Sequence, residues 1–109
     1  MRWTDREMLT KEQARALVVG EIERPPKYNY PDTARDLVMV DEHTIERAWG
    51  WVFFYDSKRY LETREFQYAL VGNAPYIVNR QTGELRVTGT AHPIEDYIAE
   101  YEQSLTTTD

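Results

Sequence analysis

The chain has 109 residues, no cysteine, two histidines and a formal charge of −6. That length supports one hydrophobic core, and a chain of this size buries about two thirds of the surface it exposes when unfolded. The missing cysteines exclude disulfides, thiolate zinc sites and a cysteine nucleophile, and the acidic balance repels phosphates, so nucleic-acid binding is not expected.

In chain order, Thr10-Lys11-Glu12-Gln13 fits a capping box with Thr10 as N-cap. Ala14, Leu17, Val18 and Ile22 follow at helical spacing, and Pro25-Pro26 stops the pattern, so a first helix over about 11–24 is predicted. Residues 25–36 hold three prolines and no period, which reads as a surface connection. Leu37–Val40 is a short strand run, and the more polar 41–47 continues it through a turn or an edge extension. Trp49-Gly50-Trp51-Val52-Phe53-Phe54-Tyr55 is the strongest strand and carries rings on both faces, as a central strand does.

Residues 57–71 are ambiguous: 57–64 could be an irregular excursion, Phe66, Ala69 and Leu70 have helical spacing, and Tyr68, Leu70 and Val71 also suit an extended piece. Gly72-Asn73-Ala74-Pro75 marks a turn. Tyr76–Val78 and Leu85–Val87 flank Asn79–Glu84 as a hairpin, with Gly83 supplying a positive φ. The last helix opens at Thr90-Ala91-His92-Pro93 with Pro93 as its first residue. Ile94, Tyr97, Ile98 and Tyr101 form one apolar stripe, which Leu105 would close, and residues 106–109 should fray. The predicted class is α+β: an N-terminal helix, an antiparallel sheet of about four strands and a C-terminal helix, with both helices packed on one face. One domain over 1–109, with a core from about 10 to 105, is the expected organisation.

The charge is uneven. All 13 basic residues lie in 1–88, whereas 89–109 contains Glu95, Asp96, Glu100, Glu102 and Asp109 with no lysine or arginine. Such a local negative field suits a basic protein partner, and otherwise serves solubility alone. No run approaches 18 apolar residues, and Met1–Asp5 lacks the apolar segment of a secretory signal, so a cytoplasmic protein without membrane attachment is expected.

Candidate chemistry is sparse. Ser57 and Ser104 sit in no nucleophile elbow, and His43 and His92 are about fifty residues apart. No metal-ligand spacing exists, and the five glycines form no phosphate loop. Paired acids such as Glu62 and Glu65, or Glu95 and Asp96, could do acid–base work only in a dry cleft. No catalytic residue, cofactor or metal is therefore predicted. Tyr55, Tyr60 and Tyr68 are the aromatics best suited to an exposed, wet position.

The run GNAPYIVNRQTGELRVTGTAHPIEDYIAEYE, residues 72–102, resembles the YrhB-like family, also called the immunity protein 35 family. The shared pieces are Trp51 on the aromatic strand, Gly72-Asn73-Ala74-Pro75, Thr82-Gly83, Gly89-Thr90 with Pro93, and Tyr97-Ile98 with Tyr101-Glu102. Tyr60–Arg64 also fits. The resemblance covers about 49–102, and residues 25–48 carry none of these pieces. It implies an immunity protein that binds a cognate bacterial toxin domain, or alternatively a small chaperone-like holdase of the stress response. The shared residues read as fold determinants, so a contact set is expected instead among exposed positions: Glu95, Asp96, Glu100 and Glu102, with Tyr60, Glu62 and Glu65. A basic toxin domain is the expected partner, and the chain itself is expected to be a monomer or homodimer.

Overall fold

The computed structural model describes residues 8–23, 37–64 and 74–106. The first helix grows from the capping box. The Thr10 hydroxyl accepts from the Gln13 amide at 3.1 Å, and the Gln13 side chain accepts from the Thr10 amide at 2.9 Å. Two donors that a helix start leaves without partners are thereby satisfied. Helix α1 covers Lys11–Ile22, with Glu23 as its C-cap. Ala14 and Val18, one turn apart, are fully buried and Ile22 packs beside them, whereas Leu17 is 43% exposed. The contact stripe is thus narrower than the apolar spacing suggests, because the helix meets the sheet along its small residues.

Strands β1 (Leu37–Met39), β2 (Ile45–Arg47), β3 (Gly50–Phe53) and β4 (Tyr55–Ser57) form one interrupted hairpin, with a 3-10 turn at Asp41–His43. Arg47 lies opposite Gly50 and Ile45 opposite Val52; further along, Met39 lies opposite Tyr55 and Leu37 opposite Ser57. Five residues separate Met39 from Ile45, while two separate Val52 from Tyr55. The surplus forms the 3-10 turn, pinned by the Val40 amide donating to the Phe54 carbonyl at 2.8 Å. A bulge of this kind bends the ribbon and interrupts the ladder. Residues 41–47 are accordingly both turn and edge strand, and the aromatic run divides at Phe54.

Strands β5 (Tyr76–Asn79) and β6 (Leu85–Val87) are the expected hairpin, and β5 pairs with β3. The result is a four-stranded antiparallel sheet, β2-β3-β5-β6, beside the two-stranded β1-β4 pair. Asn79 holds the hairpin turn: its side-chain oxygen accepts from the Gln81 and Thr82 amides at 2.9 and 3.1 Å, and Gly83 adopts φ 75°. Arg80 fastens the β2 edge, donating to the Arg47 carbonyl at 2.7 Å with its guanidinium 4.6 Å from the Trp51 ring.

Every residue of β3 is buried. Trp51, Phe53 and Val78 face α1, while Val52 and Ile77 face helix α3 (Ile94–Thr106) through Ile98 and Tyr101. The α+β class, the antiparallel sheet and the two terminal helices are as the sequence predicts, but the helices cover opposite faces rather than one. Alternation along β3 and β5 puts large apolar groups on both sides. Two helices on one side would leave Val52 and Ile77 in water, at about 1.5–3 kcal/mol each. Helix α3 begins one residue later than predicted, directly after Pro93, and Leu105 is 39% exposed, so its stripe ends at Tyr101. The start of the ambiguous segment is helical rather than an irregular excursion. The buried Ser57 caps α2 (Lys58–Thr63), its hydroxyl accepting from the Tyr60 amide at 3.3 Å. Residues 24–36 and 65–73 lie outside the described residues, and with them the choice of helix or strand for Phe66–Val71.

Helix α1 is also tied to the 3-10 turn, where Arg15 donates to Asp41 through two nitrogens, at 2.7 and 3.0 Å. This hydrogen-bonded cation holds the Asp41 carboxyl below the usual carboxylate range, against a smaller opposing effect of burial. A lowered folded pKa means that the unfolded chain binds the proton more readily. The stabilisation is therefore present above about pH 4 and is lost as pH falls through the lowered folded value. Because the side chains are 41% and 58% exposed, solvent screening keeps it under about 1 kcal/mol. Urea unfolding of Asp41→Asn should fall below wild type by that amount at pH 6 and match it near pH 2. An equal gap at both pH values would contradict this assignment.

Candidate functional site

Helix α3 divides into an inner face and two outer rows. Ile98 and Tyr101 are buried and Ile94 and Tyr97 partly so. Glu95, Asp96, Glu100 and Glu102 are all exposed. Asp96 and Glu100 are four residues apart and therefore neighbours on the helix surface, a like-charge pairing that costs a few tenths of a kcal/mol. Glu95 and Asp96 sit in the first turn, where the helix dipole offsets their charge; no basic residue stands in the last turn.

Not all of these acids are equally free. Glu102 accepts from the Trp49 indole N–H at 2.9 Å, and the Trp49 ring meets the Tyr101 ring edge-on at 4.8 Å. Glu102 thus clamps the β2–β3 turn to α3, a structural duty that its place in the acidic run does not signal. The carboxylates of Glu95, Asp96 and Glu100 make no hydrogen bond or ion pair among the described residues. Tyr60, half-buried, and Glu62, exposed, lie on α2, which packs against β4. The two groups of predicted contact residues therefore stand on separate elements. Glu65 lies outside the described residues.

Under α3 runs a polar chain that sequence reasoning missed. The Asn79 side chain donates to the Tyr101 hydroxyl at 3.0 Å, and that hydroxyl donates to Glu84 at 3.4 Å. Arg86 pairs with Glu84 at 2.9 Å and lies over the Tyr101 ring at 4.9 Å. Burial, with the Glu84 charge beside it, raises the Tyr101 phenol above its ordinary value, although the Asn79 hydrogen bond pulls the other way. Tyr101 is therefore neutral and structural: it joins the hairpin turn to the last helix. The available signal was an asparagine opening a turn, a residue that hydrogen-bonds the backbone two residues on.

Between α3 and β6 lies a cleft of about 150 Å³. It is lined by Ile77, Arg86, Val87, Thr88, Tyr97, Glu100 and Tyr101. Tyr97 can lie against the backbone at Gly89 because any side chain there would collide with its ring and hydroxyl. Among the described residues no three histidine, aspartate or glutamate side chains gather as a metal site requires, and no helix is long and apolar enough to cross a membrane.

The model of the family described as immunity protein 35 matches residues 27–104. The chain belongs to the immunity protein 35 family. The match begins well before the region carrying the sequence resemblance, so the bulged hairpin of β1 to β4 lies within the family's span. A curated relative, the uncharacterized protein YrhB of Escherichia coli K12, is 42% identical over 74 residues, 68% of this chain and 78% of the relative. No solved structure matches. The immunity family name implies a toxin partner in general terms.

Proposed function

We propose that this chain is a cytoplasmic immunity protein that captures one toxin domain in a stoichiometric complex and neutralises it without turnover. The observation that carries this reading is its membership of the immunity protein 35 family over residues 27–104. The exposed acids of α3 support it, because they offer a basic toxin a complementary field that speeds encounter and disfavours wrong partners. The proposed contact set is Glu95, Asp96 and Glu100, with Glu102 at its margin and Tyr60, Glu62 and Glu65 as a second group. A general holdase would use a contiguous apolar patch of several hundred Å². The exposed large apolar side chains among the described residues, Leu17, Val87 and Leu105, sit on α1, β6 and α3.

The reading predicts a toxin domain encoded beside its gene and is tested by co-expression with that domain. Growth is expected to be restored, the two chains to copurify at equal stoichiometry, and the association rate to fall at least about tenfold between low and high salt. Unrestored growth with both proteins present and soluble would count against the reading.

A further inference from the structure

We propose that the cleft between α3 and β6 is an anchor pocket for one arginine side chain of the protein partner. The partner's identity as a toxin domain rests on the immunity reading above; the pocket's chemistry does not. At about 150 Å³ the cleft is roughly half the smallest common small-molecule site. It would hold about five waters at about 30 Å³ each, which is room for a single long side chain. It also lies at the sheet's rim, since β6 is an edge strand and Val87 on it is 54% exposed. A partner can therefore reach it from the side without moving α3.

The lining selects the occupant. Ile77 and Val87 suit an aliphatic stem. Tyr97, whose ring also lies 6.0 Å from that of His92, is an aromatic of the lining on which a planar cation can stack, an arrangement worth about 0.5–2 kcal/mol depending on desolvation. Charge decides the sign. Arg86 in the lining is already paired with Glu84 at 2.9 Å and laid over Tyr101, so its charge is matched within the chain. Glu100, in the same lining, has no hydrogen-bond or ion-pair partner for its carboxylate among the described residues, which leaves that charge unmatched. Asp96, one turn back on α3, adds to the same field. A guanidinium can stack on the tyrosine while directing N–H donors at the carboxylate, which a lysine ammonium cannot do together. Buried arginine and tyrosine contacts of this kind carry much of the energy in protein interfaces.

The probe is the peptide acetyl-Gly-Arg-Gly-amide, titrated into the full-length ¹⁵N-labelled chain, with the citrulline peptide as its neutral match. Saturable amide shifts should cluster at 86–88 and 97–101, with the citrulline peptide at least about tenfold weaker. Glu100→Gln should weaken the arginine peptide by a similar factor, in line with loss of one charge-assisted hydrogen bond; its unfolding midpoint provides the check on folding. Shifts scattered over all acidic residues, equal binding of the citrulline peptide, or no effect of Glu100→Gln would overturn the pocket. With the toxin domain, Glu100→Lys should slow capture and weaken the complex at least about a hundredfold. Unchanged binding by this variant would overturn the pocket and leave the immunity reading intact. A wild-type chain that binds the peptide as described but ignores the toxin domain would do the reverse.

Discussion

A Gly50→Ala chain is expected to lose at least about 3 kcal/mol of stability, a large share of the 5–15 kcal/mol typical of a domain. Gly50 opens β3 directly after the turn from β2, opposite Arg47 on one side and Asn79 on the other. A Cβ built there would penetrate the Val78 carbonyl, which is backbone and has nowhere to move without parting β3 from β5. That junction holds the sheet's centre, and the Arg80 amide donating to the Trp49 carbonyl at 2.8 Å depends on it. Thermal unfolding should show a midpoint roughly 12 °C or more below wild type, at about 4 °C or more per kcal/mol. Gly20→Ala is the contrasting control. It lies in α1, where an added Cβ meets nothing within 4 Å, and alanine's better helix propensity should stabilise the chain by up to about 1 kcal/mol. A Gly50→Ala chain that melts with wild type would show that β3 and β5 do not approach as described.

Tyr101→Ala should cost about 3–5 kcal/mol and Tyr101→Phe only about 1–2 kcal/mol. The ring is 2% exposed, packs with Val52, Ile77 and Ile98, and meets Trp49 edge-on. Alanine deletes this whole contact and leaves a cavity where α3 docks. Phenylalanine keeps the ring but takes the acceptor from the Asn79 amide, which is itself in a residue only 7% exposed. Urea unfolding followed by helical circular dichroism separates the two. Equal losses would shift the credit from packing to the hydrogen bond, and two neutral outcomes would mean that α3 is not docked through Tyr101.

Most elements were legible because the signals were local. Thr10 and Gln13 read as a capping box and are one; Gly83 reads as a turn residue and has positive φ. What was hidden depends on contacts distant in sequence. The rings on both faces of 49–55 were visible, yet the placement of the two helices depends on which residues of β5 oppose which of β3. That register is fixed by Trp51 against Val78 and Val52 against Ile77. The bulge at Asp41–His43 depends on a mismatch between two arms of a hairpin, which neither arm announces alone. In the candidate site, the acids of α3 are legible from composition, but the distinction between Glu102, bound to Trp49, and Glu100, unpaired among the described residues, rests on a contact 53 residues away. Asn79 and Tyr101, 22 residues apart, were hidden for the same reason.

The most direct measurement is a calorimetric titration of this chain into the purified toxin domain that the immunity reading predicts beside its gene, with the toxin's own activity assayed at each addition. The expected result is a single transition at one chain per toxin, with activity falling linearly to its floor at that same ratio. Heat no greater than dilution at micromolar concentration, with toxin activity undiminished in excess chain, would contradict the account.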